Sequence, residues 1–187
     1  MTPLHGLGAA SGYNRGMALL APFNLQRWLA EHRETLKPPV GNKLLYQDAE
    51  LIVMAVGGPN SRRDFHHDPG EEFFHQIEGD IVLKTVQHGR IVDIPIRAGD
   101  VFLLPAEMPH SPRRPPATIG LVVERRRAPT ELDGFSWYCE HCGHRLHMVR
   151  IAVANIETEL PAVFDAFYSN LELRTCAACG TVMQPPA

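Results

Sequence analysis

Cysteine is scarce in this chain of 187 residues: there are four, and none precedes position 139. A disulfide framework holding the main body together is therefore excluded. Long apolar runs are missing too. Nothing approaches the roughly 20 residues that span a bilayer, and Met17-Ala18-Leu19-Leu20-Ala21 is too short for the core of a signal peptide. These absences point to a cytoplasmic protein with no membrane partner. Neither sign of charge dominates, since 18 Lys and Arg against 21 Asp and Glu give a net charge of −3. No general field attracts phosphate backbones, and nucleic acid is disfavoured as a partner. Internal repeats and low-complexity tracts are also lacking. With 44% hydrophobic and 21% charged residues the chain can build a packed core, and its length suits one domain with at most a small appended module. What it has in quantity is histidine and proline, 10 and 16 respectively. The first brings metal-ligand chemistry, the second turns and strand ends.

Residues 1–16 are glycine-rich without an apolar period and read as a flexible leader, or as lying upstream of a true start at Met17. Asn24 is a predicted N-cap, and Leu25, Trp28 and Leu29 recur at helical spacing until Pro38-Pro39 stops the run. The pattern then changes to short β-prone runs at 43–46, 51–56, 72–77, 81–85, 91–96, 101–104 and 119–124, separated by polar turns. Seven such strands predict an antiparallel sandwich or barrel over residues 17–130, followed by a C-terminal segment, 131–187. In that segment Leu160, Val163, Phe164, Phe167 and Tyr168 follow a predicted cap at Thr158 and form the stripe of a helix lying on the barrel.

Cys139-Glu140-His141-Cys142-Gly143 and Cys176-Ala177-Ala178-Cys179-Gly180 are two CxxCG knuckles. The trailing glycines let backbone amides turn toward the thiolates, and four thiolates fill a tetrahedron. Cys139, Cys142, Cys176 and Cys179 therefore form a candidate structural metal clip. Zinc and iron both accept such a set. His141, His144 and His147 lie beside it as surplus donors.

A second constellation lies upstream. A histidine-rich loop, Asp64-Phe65-His66-His67-Asp68, feeds a strand that begins with Glu72, and Gly99 to His110 delivers another histidine just past an apolar strand. These two segments resemble the paired motifs of the cupin superfamily: His66, Glu72 and Gly79 fall in register with the first, and Gly99, Pro105 and His110 with the second. The resemblance implies a cupin-type, all-β barrel of jelly-roll form with His66, Glu72 and His110 as metal ligands. Two imidazoles and one carboxylate leave open positions on a ferrous ion. Asp68 stands where many cupins have a further histidine; it serves either to hold a histidine tautomer or as a turn residue before Pro69. His67 and His75 are expected outside the ligand set.

Further motifs narrow the likeness: Pro39-Val40-Gly41-Asn42-Lys43, Gly58-Pro59-Asn60-Ser61-Arg62, Asp68-Pro69-Gly70-Glu71-Glu72, His110-Ser111-Pro112-Arg113-Arg114-Pro115, Glu124-Arg125 and Asp133-Gly134-Phe135-Ser136-Trp137-Tyr138-Cys139. From about Pro38 to Cys179 the chain is similar to the bacterial 3-hydroxyanthranilate 3,4-dioxygenases. That resemblance implies Fe(II) in the barrel, a second, rubredoxin-like iron (or zinc) on the cysteines, a homodimer, and 3-hydroxyanthranilate and dioxygen as substrates. It places Arg62 and Arg114 on the substrate carboxylate, a task that guanidinium forks suit. Glu124 is placed at the hydroxyl or amine side as proton acceptor, with a salt bridge to Arg114 or Arg126 as its plainer role. Asn42 is placed near the oxygen site. Arg113, Arg125, Arg126 and Arg127 are expected to be solvated. The rival readings are a cupin Fe(II) dioxygenase acting on another anionic aromatic, and a metal-binding cupin without enzymatic activity.

Overall fold

The computed structural model describes residues 21–38, 41–46, 49–60, 62–153 and 156–186. The expected leader and the start at Met17 lie outside these residues. Helix α1 (Leu25–His32) begins where expected: Asn24 is extended, and its side-chain oxygen accepts the amide of Arg27 at 2.9 Å. A 3-10 turn, Arg33–Leu36, continues it. Leu29 and Leu36 pack on Ala55 and Ile119, so the helix braces the outside of the sheet that carries those residues.

Eleven strands follow: β1 (Asn42–Leu44), β2 (Leu51–Gly57), β3 (Phe65–His67), β4 (Glu72–Glu78), β5 (Ile81–Gln87), β6 (Arg90–Ile96), β7 (Val101–Leu104), β8 (His110–Arg113), β9 (Ile119–Arg125), β10 (Asp133–Tyr138) and β11 (Arg145–Ile151). They form two antiparallel sheets, ordered β1-β2-β9-β4-β7 and β11-β10-β3-β8-β5-β6. Phe74, Ile81, Leu83, Ile96, Leu104 and Val122 fill the space between them. Strand alternation decides what else enters that space. On β4, Glu72, Phe74 and Gln76 are buried while Phe73 is exposed, so one face delivers both core and polar side chains to the interior.

All seven predicted strands are present. Four more are not legible in the sequence. β3 and β8 are short and mostly polar, and β10 is buried along its whole length, so it shows no alternation. β10 pairs with β3, Phe135 opposite His66, so the C-terminal segment is an integral part of the six-stranded sheet. Helix α2 (Ile156–Ser169) packs Leu160, Val163, Phe164, Phe167 and Tyr168 with Phe135 and Trp137, and a short α3 (Leu171–Arg174) follows. Thr158 lies within the first turn of α2 instead of capping it, a shift of the usual size between cap signal and helix start. No helix among the described residues is long and apolar enough to cross a membrane.

Candidate active site

The ladder places His66 on β3 directly opposite His110 on β8, and Glu72 reaches them from the facing sheet. Oε1 of Glu72 lies 3.0 Å from Nε2 of His110 and 3.5 Å from Nδ1 of His66. One donor atom from each residue falls within 4.8 Å of the other two. The outward nitrogen of each ring is already engaged. Nδ1 of His110 donates to the carbonyl of Met108 at 3.0 Å, and Nε2 of His66 meets Oδ1 of Asp133 at 2.7 Å. Such contacts set the tautomer and aim the other nitrogen inward. Phe135 stacks on His66 with ring centroids 5.2 Å apart.

Oε1 of Glu72 is buried without a hydrogen-bond partner, although two inward ring nitrogens surround it. A buried carboxylate oxygen left so is costly, and a divalent cation bound by one oxygen and two imidazoles removes that cost. The donor set therefore fits a metal of the ferrous type. Burial disfavours the charged ring of His66, but Asp133 and Glu72 outweigh it and push its pKa up to about 9. Glu72 is held well below the usual carboxylate range, its burial overcome by His110 and His66.

Glu124 sits on β9 in register with Glu72. Its partner is neither Arg114 nor Arg126 but Arg127, with Nη1 3.2 Å from Oε1. The second terminal nitrogen of Arg127 lies 2.7 Å from both Asp68 and Asp133. Arg127, only 11% exposed, thus joins three buried carboxylates, which corrects the expectation that it is solvated. The fold makes a cation necessary there, because carboxylates from three separate segments are taken out of water together. Burial, reinforced by Asp68 alongside, pushes Glu124 up to about 8.

Asp68 is the turn residue. Its Oδ1 accepts the amide of Gly70 at 2.7 Å, and the carboxylate that orients a histidine ring is Asp133. Sequence reasoning misses both Asp133 and Arg127, since Asp133 is 67 positions from the ring it holds. The one hint is that Arg127 falls three residues after Glu124. His67 bonds Ser136 at 2.7 Å and is no part of the cluster, and His75 lies on the opposite face of β4 from Glu72.

Arg114 follows β8 and is 3% exposed. Its Nη1 donates to Oε1 of Gln76 at 3.2 Å, its Nε has no partner, and among the described residues no carboxylate pairs with it. Burial pulls its pKa down to about 10. Arg62 differs: its side chain is 43% exposed, paired with Asp64, and lies 5.1 Å from the ring of Phe164. Asn42 is exposed at the start of edge strand β1, and the structure does not bring it to the cluster.

Cys139, Cys142, Cys176 and Cys179 converge as free thiols, with sulfur pairs 3.5 and 3.6 Å apart. Those edges are close to the ~3.7 Å expected of a tetrahedron with ~2.3 Å metal–sulfur bonds. Gly143 and Gly180 turn the knuckles at φ +75° and +74°.

Two antiparallel sheets facing each other, with two histidines and a glutamate converging between them, define a cupin-type barrel with a candidate metal site. The chain belongs to the 3-hydroxyanthranilic acid dioxygenase family, which matches residues 17–168. A relative from Xanthomonas euvesicatoria pv. vesicatoria (strain 85-10), named 3-hydroxyanthranilate 3,4-dioxygenase, is 54% identical over 168 residues, covering 90% of this chain and 95% of its own. One of the same name from Jannaschia sp. (strain CCS1) is 49% identical over 174 residues, covering 91% and 97%. Among solved structures, a cupin-2 domain protein from Shewanella frigidimarina aligns with a TM-score of 0.40 and 18% identity over 46% of this chain and 79% of that one.

Proposed function

We propose that this protein opens the ring of 3-hydroxyanthranilate with dioxygen, giving 2-amino-3-carboxymuconate semialdehyde. One observation carries the choice of substrate class: a buried guanidinium, Arg114, with no carboxylate partner among the described residues, four residues from the candidate ligand His110. A desolvated cation of this kind is a preformed seat for an anion.

In this reading His66, Glu72 and His110 hold Fe(II). Bound there, the ion would supply the redox chemistry that couples the electron-rich substrate to dioxygen. Arg114 binds the substrate carboxylate, and Arg62, at the more open side, closes on it from outside. Glu124 accepts the proton of the substrate hydroxyl. Burial raises its pKa to about 8, so its ionised form is a stronger base than an ordinary carboxylate and is the minority form near neutrality. Arg127 holds Glu124 in place, while Asp133 keeps the ring of His66 from turning.

The four thiolates bind a second ion, iron or zinc, that ties the C-terminal segment to the barrel. Leu51, Phe73, Val101 and Leu103 are exposed on the outer face of the five-stranded sheet. That apolar surface supports a homodimer, and the setting is the cytoplasm.

The test is anaerobic reconstitution with Fe(II) followed by oxygen uptake on adding 3-hydroxyanthranilate. Uptake with the absorbance of a muconate semialdehyde is expected. No uptake by protein whose barrel site is loaded would favour a non-enzymatic metal-binding cupin instead.

A further inference from the structure

We propose that Gln76 is the positioning residue that makes Arg114 an anion site, and that Gln76 and Gly120 together set a requirement for a carboxylate on the substrate. The inference rests on the function proposed above and names a determinant of its specificity.

Gln76 lies four residues beyond Glu72 on the inward face of β4 and is 1% exposed. Its amide nitrogen has three backbone carbonyls in reach: Glu78 at 2.9 Å, Gly79 at 2.9 Å and Ile119 at 3.2 Å. All three are acceptors, so the donor end of the amide must face them. Oε1 is thereby aimed the other way, at Nη1 of Arg114. The surroundings alone decide which end of the amide points where.

The residue type matters as much as the direction. An amide oxygen gives the guanidinium a hydrogen bond without cancelling its charge. Glutamate at the same place would neutralise Arg114 and set a carboxylate against three carbonyl oxygens. Gln76 instead leaves the cation buried and uncompensated, with Nε free of partners. The guanidinium is held on one side and available on another, so little ordering remains when an anion arrives.

Gly120 completes the arrangement. It is the cross-strand partner of Gln76 on β9. A Cβ built there would come within 2.8 Å of Oε1 of Gln76 and 3.2 Å of Nη1 of Arg114. The missing side chain is the space through which amide and guanidinium meet. At the base of Arg114, Asn60 accepts its amide at 3.2 Å, so both ends of the residue are tethered.

The experiment compares dissociation constants of Fe(II)-loaded protein, measured anaerobically by ligand fluorescence, for 3-hydroxyanthranilate and for 2-aminophenol, the same ring without its carboxylate. Wild type should prefer the carboxylate. Gln76→Met and Gly120→Ala should each lower the preference about tenfold or more, as expected for loss of a hydrogen bond to a charged group. Gln76→Glu should lower it further, because charge is cancelled as well. Binding of 2-aminophenol and iron content should change little. If the variants weaken both ligands equally, or keep the wild-type ratio, the positioning role is overturned. A wild type that binds neither ligand would instead sink the functional reading. Gly120→Ala alters no polar group, so it tests the role independently if the Gln76 variants fail to fold.

Discussion

Glu72 and Glu124 stand directly opposite each other on β4 and β9, both buried on the interior face. Like charges so placed destabilise a sheet. The barrel accommodates them by giving each its own partners, two imidazole rings for Glu72 and the Arg127 guanidinium for Glu124. The outcome is a divided pair: Glu72 is held ionised, while burial and Asp68 raise Glu124 to about 8.

That division has a sign that can be measured. An acid whose folded pKa is raised from 4.5 to about 8 contributes stability below its unfolded value and loses it as pH rises through the folded one. Between about pH 5 and about pH 8 the melting temperature of metal-free wild type should therefore fall more than that of Glu124→Gln. Parallel curves for the two proteins would show that Glu124 carries no raised pKa.

Arg127→Met should be among the most damaging single changes in the chain. It leaves three buried carboxylates without the cation they share, a loss of about 3–5 kcal/mol in urea denaturation. Arg127→Lys keeps the charge but cannot reach three partners at once, and should recover only part of the stability.

The two arginines proposed as a clamp should not behave alike. Arg114→Ala removes a buried cation and should raise the Michaelis constant for 3-hydroxyanthranilate about a hundredfold or more. Arg62 is more exposed and already paired with Asp64, so Arg62→Ala should cost about tenfold or less. Equal losses in steady-state kinetics would contradict this asymmetry.

The two candidate metal sites draw on different segments and should be separable. Glu72→Gln is expected to empty the barrel site while the thiolate site keeps its ion, as read by elemental analysis of anaerobically purified protein. Cys142→Ala is expected to do the reverse, lowering thermal stability more than barrel occupancy. Loss of barrel metal in a folded Cys142→Ala protein would refute the independence.

Periodicity and turn chemistry make the first helix, seven strands and the apolar stripe of α2 legible, because each is written within a dozen neighbouring residues. The spacing of the cysteines and the two histidine–carboxylate segments likewise mark out residues that the fold then brings together. The four remaining strands escape such reading on physical grounds. β3 and β8 are too short to show a period, β10 is buried along its whole length and pairs with β3 far upstream, and β11, at the sheet edge beside β10, shows no clean alternation.

By itself the sequence determined which residue types were at hand: imidazoles, carboxylates, thiolates and guanidinium groups, at spacings suited to a metal barrel and a thiolate clip. Only the tertiary structure decided the partnerships among them. It set Asp133 behind His66, Arg127 among three carboxylates and Gln76 against Arg114, and it left Asn42 on an exposed edge. The reason is desolvation. A charge taken out of water must find a partner wherever the fold supplies one, and these partners come from segments up to 67 residues apart, beyond the reach of any local pattern.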